Sequence, residues 1–142
     1  MTMWGLMHVV SGDDGAAVHD HAELAATPAA STLLSHVTYQ LFEGRWSKLP
    51  DFAALVPVTA GEVASGWLDL PVEGRRENFA VVLKAYLDVP ADGSYVFALR
   101  SDDGARVRID GADAVIHDGL HPASLRVGPP VALTAGRHAI EV

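Results

Sequence analysis

No cysteine occurs anywhere in the 142 residues. Disulfides, thiol catalysis and cysteine-built zinc sites are therefore excluded. The compartment stays open, because secreted domains without disulfides exist. Basic residues are scarce: ten Lys and Arg stand against eighteen Asp and Glu, a formal charge of −8. The chain lacks the basic footprint that nucleic acid and anionic membranes require. A neutral ligand or a divalent cation remains compatible with it. No apolar run approaches the roughly 20 residues of a membrane-spanning helix. The apolar start, MTMWGLMHVVSG, has no basic residues ahead of it to make a signal peptide. A secreted form would take its leader from a longer precursor. Catalytic patterns are missing too. There is no supported Ser/His/Asp order, no glycine-rich phosphate loop and no acid pair in a glycosidase arrangement. The expectation is a chain that is not an enzyme.

What is present is apolar and alternating. Apolar residues make up 49% of the chain, enough for one domain with a sizeable core. The clearest stretch is GSYVFALRSDDGARVRIDG, residues 93–111. Tyr95, Phe97 and Leu99 alternate with Val96, Ala98 and Arg100, the two-residue period of a strand with one buried face. Ser101-Asp102-Asp103-Gly104 supplies a turn, with Ser first and Gly fourth as a type I turn favours. Alternation resumes over Arg106–Ile109, so the stretch is a β-hairpin with two adjacent carboxylates at its tip.

Before it, Phe79 to Val89 forms a long strand ended by Pro90, with Phe79, Val81, Leu83, Ala85, Leu87 and Val89 on one face. After it, short strands are expected at 114–117, near 125–127, at 131–133 and at the chain end, where His138 shares a face with Ile140 and reads as structural. A first strand runs from His36 to Gly44. The stretch 45–78 carries Pro50, Pro57 and Pro71, which block long helices. Trp46, Phe52, Leu55 and Trp67 are its candidate anchors onto a sheet; an exposed Trp would instead offer a platform for a sugar ring. Short strands at close intervals indicate an all-β, antiparallel sandwich or barrel over residues 36–142. The pattern is still running at Val142, so the domain is expected to lack its last strand or strands. Residues 11–35 read as a linker, with a short helical turn around Ala22–Ala26. Its His19-Asp20-His21 is a metal-like spacing that solvent also explains.

Residues 1–10 read as a short strand. Met-Trp-Gly-Leu-Met-His-Val-Val resembles the last strand of a cupredoxin domain in multicopper oxidases and nitrite reductases, the tail of a preceding domain. In that family a Met before such a Gly is an axial copper ligand, the position of Met3. Without cysteine no blue-copper site forms in this chain.

Ordered blocks over residues 36–142 resemble the PA14 domain, named for the anthrax protective antigen. They are Tyr39 to Trp46, Leu49-Pro50-Asp51-Phe52, Tyr86 to Pro90 and Gly93 to Phe97. The most telling signature is Ser101-Asp102-Asp103-Gly104 followed by Ile109-Asp110-Gly111. Asp118-Gly119-Leu120-His121 and Leu133 to His138 complete the set. The resemblance implies a β-sandwich or barrel of PA14 type, attached to glycosidases, sulfatases, adhesins or toxins, mostly outside the cell. It implies a non-catalytic, lectin-like module that binds a glycan or polysaccharide. In adhesin members the paired aspartates, matching Asp102 and Asp103, hold calcium through a cis peptide, and the ion binds sugar hydroxyls. Asp118 and His121 are then candidates for the ligand loop beside them. Secretion, the cell surface or the periplasm is the expected setting, within a larger multidomain protein. The alternative is a structural or protein-interaction domain without a glycan, attached to an enzyme such as a multicopper oxidase or glycosidase.

Overall fold

The computed structural model describes residues 34–64 and 77–142, together with the backbone of 6–11. Met3, residues 12–33 of the expected 11–35 linker with His19 and His21, and Trp67 lie outside the described residues; Ser11 falls in a strand, as do Leu34 and Ser35. Among the described residues, ten strands form two antiparallel sheets, with one short 3-10 turn beside them. They are β1 (Leu6–Ser11), β2 (Leu34–Glu43), β3 (Thr59–Glu62), β4 (Phe79–Val89) and β5 (Gly93–Ser101). β6 (Ala105–Ile109), β7 (Ala112–His117), β8 (Ser124–Val127), β9 (Val131–Leu133) and β10 (Gly136–Glu141) complete the set. One sheet runs β3-β2-β4-β10-β6-β7; in the other, β5 is flanked by β1 on one side and by β8 and β9 on the other. Of the strand expected over residues 1–10, residues 6–10 fall in β1, which pairs with Tyr95 to Arg100 of β5.

The core lies between the sheets. Phe79, Val81, Leu83 and Leu87 of β4 meet Tyr95, Phe97 and Leu99 of β5, with Val107, Ile109 and Ile140 beside them. These are the residues that period-two alternation places on inward faces. β4 departs from strict alternation at one end, where Ala80 and Val82 are buried as well. The cause is the proline-interrupted stretch. Its 3-10 turn, Phe52–Ala54, is capped by the Asp51 side chain and lays Phe52 against Phe42, ring centroids 5.2 Å apart, over that end of the sheet. Trp46 is half-buried and folds back over Gly44, where an added Cβ would lie 2.4 Å from the indole.

The last strand does not close an edge. β10 enters between β4 and β6, pairing along its length with β4 and, through Ile140 and Glu141, with β6. The hydrogen bonds of Val142 to Leu83 continue the ladder with β4. No helix among the described residues is long and apolar enough to cross a membrane.

Candidate functional site

The carboxylate pair sits where β5 ends and β6 begins. Ser101 is fully buried, and its hydroxyl has no hydrogen-bond partner among the described residues. Inward-facing alternation puts it with Phe97 and Leu99, so it belongs to the wall of the core. Asp102 and Asp103 follow, both half-buried. Asp103 has φ 68°, which a type I turn does not contain, so the tip is not the turn expected from sequence. Aspartate tolerates this left-handed region better than most residues. A tertiary contact also fixes it there.

That contact is reciprocal. The Asp103 N–H donates to the His121 carbonyl at 3.1 Å, and the His121 N–H donates to Asp103 Oδ1 at 3.2 Å. Residues eighteen apart in sequence are thus locked together, and the loop after β7 is held against the hairpin tip. The ring of His121 in that loop stacks on the ring of His117, the last residue of β7, centroids 3.7 Å apart. His117 Nε2 lies 2.7 Å from Ser124 Oγ, and the His121 ring nitrogens face the carbonyls of Pro122 and His117. Burial holds the His117 pKa below its ordinary value, and nearby His121 and Arg126 push the same way. Leu120, at the outer end of the loop, is 66% exposed.

Of the four candidates, Asp102, Asp103 and His121 are brought together. Asp118 is in the same loop, but its Oδ1 accepts from the Leu49 and Gly119 N–H groups, both at 2.7 Å. It ties the 49–55 stretch to the loop that carries His121. The residues fit a hard cation in kind. Vicinal carboxylates are oxygen donors, and unfavourable as neighbours unless something compensates their charge. They do not fill a shell alone. Calcium takes about six to eight oxygens, two carboxylates supply at most about four, and no group of three or more His, Asp or Glu among the described residues is placed to hold a metal. No cis peptide occurs among the described residues, so the Asp102–Asp103 bond is trans, unlike the adhesin arrangement.

A further interaction went unread in the sequence. Asp110 and His138 stand 28 residues apart, and nothing local in the sequence links them. They form a clamp: His138 Nδ1 is 2.6 Å from Asp110 Oδ2, and Asp110 Oδ1 accepts from Ala139 N–H at 2.9 Å. His138 Nε2 donates to the Thr134 carbonyl at 2.8 Å. With both ring nitrogens facing acceptors the imidazolium is favoured, so the His138 pKa is raised, first by Asp110 and then by Thr134. The Asp110 pKa is lowered, chiefly by the hydrogen bond from His138. The clamp lies at the β6–β7 turn and fastens it to β10.

The PA14 domain family matches residues 49–142. No match was found among curated proteins or among solved structures. The match takes in the hairpin, the Asp102-Asp103 tip, the Asp118–His121 loop and the last strand, well over half of the sequence. The chain belongs to the PA14 domain family.

Proposed function

We propose that this chain is a non-catalytic, lectin-like accessory module that binds carbohydrate for a larger secreted or cell-surface protein. The ligand sits where the 101–104 turn meets the 117–121 loop. The observation that carries this reading is the reciprocal lock between Asp103 and His121. It fixes two adjacent carboxylates at the sandwich end, beside a loop whose Leu120 is exposed to meet the apolar face of a sugar ring. Family membership favours the same end of the fold. Asp102 and Asp103 are the residues that would hold calcium, with main-chain, water or sugar oxygens making up the shell. Bound there, the ion would supply the positive charge that draws neighbouring sugar hydroxyls.

One observation favours a second reading, a structural or protein-interaction domain without a glycan. The Asp103 carboxylate is already engaged by the His121 N–H, and among the described residues no group of three or more His, Asp or Glu is placed to hold a metal. The two readings part on variants. Asp102→Asn and Asp103→Asn should each weaken glycan binding in calcium by tenfold or more, about 1.4 kcal/mol, with the melting temperature little changed for Asp102→Asn. Glycan affinity unaltered in both variants would remove the site from this tip.

A further inference from the structure

The outer face of the six-stranded sheet carries a second feature, away from the hairpin tip. Two adjoining hollows, of about 760 and 690 Å³, share Lys84, Arg108 and Glu141 and so make one trough across β2, β4, β10 and β6. Each is within the range of a small-ligand site, about 300–1,000 Å³. Together they suit an extended ligand better than a compact one.

The charge of the trough runs against that of the chain. Its lining includes four cations, Lys84, Arg106, Arg108 and Arg137, against two acids, Asp51 and Glu141, a formal +2. Adding Asp88 and Asp113, which pair with Arg137 and with Arg106 and Arg108, brings the face to zero, still far from the −8 of the whole. Nor are the cations fully used by these partners. Glu141 stands 3.7 Å from Lys84 and 3.9 Å from Arg108, too far for hydrogen bonds. Arg108 Nε is 3.3 Å from Asp113 but makes no hydrogen bond. Arg137 is preset: its Nε holds Asp88 at 3.0 Å and its guanidinium lies 5.4 Å from the centre of the Tyr86 ring. Thr38 and Gln40 add neutral hydrogen-bonding groups, and Tyr86, 44% exposed, adds an aromatic floor.

We propose that this trough binds an acidic oligosaccharide, a run of uronate-bearing sugars whose carboxylates meet Arg108, Arg137 and Lys84. Arginine's fork suits a carboxylate in two-point contact. The hydroxyls of the same sugars match Thr38, Gln40 and the Tyr86 edge. The proposal extends the carbohydrate-binding reading above and rests on it for the class of ligand. It does not use calcium, so the two sites separate experimentally.

The test is calorimetry with a short oligogalacturonate and with its neutral methyl ester, both in EDTA, which silences any calcium site. The acidic form should bind, the ester should bind about tenfold more weakly, and added salt should weaken the acidic form. Arg137→Gln and Arg108→Gln should each lower affinity severalfold, with melting temperature checked to exclude unfolding. Asp102→Asn should leave affinity unchanged. No binding of the acid, equal binding of the ester, or affinity indifferent to both arginine variants would each overturn the proposal. Binding of poly-glutamate in place of the sugar would overturn it in favour of an acidic protein partner. Failure here leaves a calcium-dependent response to neutral glycans at the hairpin tip intact, and the converse holds as well.

Discussion

The Asp110–His138 clamp makes a quantitative prediction about stability and pH. A hydrogen bond to a charged group contributes about 1.5–3 kcal/mol. The Asp110 side chain is 54% exposed and His138 only 12%, so solvent screening reduces the net value of the bond to about 1 kcal/mol. Asp110→Asn keeps the backbone φ of 50°, which asparagine tolerates, and keeps an oxygen for the Ala139 N–H. It removes the charge and sets an amide NH2, a donor, where Oδ2 accepted from His138 Nδ1. The folded pKa of His138 is raised, so its contribution is complete below the ordinary value of about 6.5 and is lost as pH climbs through the folded value. The folded pKa of Asp110 is lowered, so its contribution is present above about 3.9 and is lost as pH falls through the folded value. The pair therefore stabilises most between about pH 4 and 6.5. Thermal melts at pH 6 should show Asp110→Asn lower than wild type by roughly 4 °C, and the gap should close by pH 9. Asp110→Ala should lose a further ~1–2 kcal/mol at both pH values, because alanine must hold a left-handed φ without a side-chain bond. Parallel melting curves for wild type and Asp110→Asn across that range would refute the reasoning.

Two further outcomes follow from the packing and from the histidine stack. Gly128→Ala should cost about 2 kcal/mol or more, since the new Cβ would fall 2.2 Å from the Ala114 carbonyl oxygen; urea denaturation reads it, and a wild-type midpoint would count against the close approach. His117→Gln should flatten the acid side of the stability profile. The folded His117 pKa is lowered, so wild type loses stability as pH falls below about 6.5, and an unaltered acid limb in the variant would contradict this.

Much of the sandwich was legible because strands with one buried face write their period into the sequence. β4, the β5–β6 hairpin and the strands from 112 to 141 fall where alternation and turn residues put them. What alternation cannot write is who pairs with whom. Nothing local says that β10 enters between β4 and β6, or that Phe52 returns to cover Ala80 and Val82. In sequence Gly128 is simply a glycine before Pro129, yet a backbone 14 positions away leaves it no room for a side chain. The same holds for the site. Two adjacent aspartates on a turn are visible in sequence, but their lock to His121 and the pairing of Asp110 with His138 are long-range contacts. Asp118 illustrates the limit: its place in the loop was readable, its bond to Leu49 N–H was not.

The central claim is that a glycan is held at the Asp102-Asp103 tip with the help of calcium. A glycan array probed with this chain in calcium, and again in EDTA, tests it most directly. Among neutral glycans the account predicts binding in calcium that disappears in EDTA and is absent from Asp102→Asn in either buffer. Neutral-glycan binding that persists unchanged in EDTA, or silence toward neutral glycans in both buffers, would contradict it.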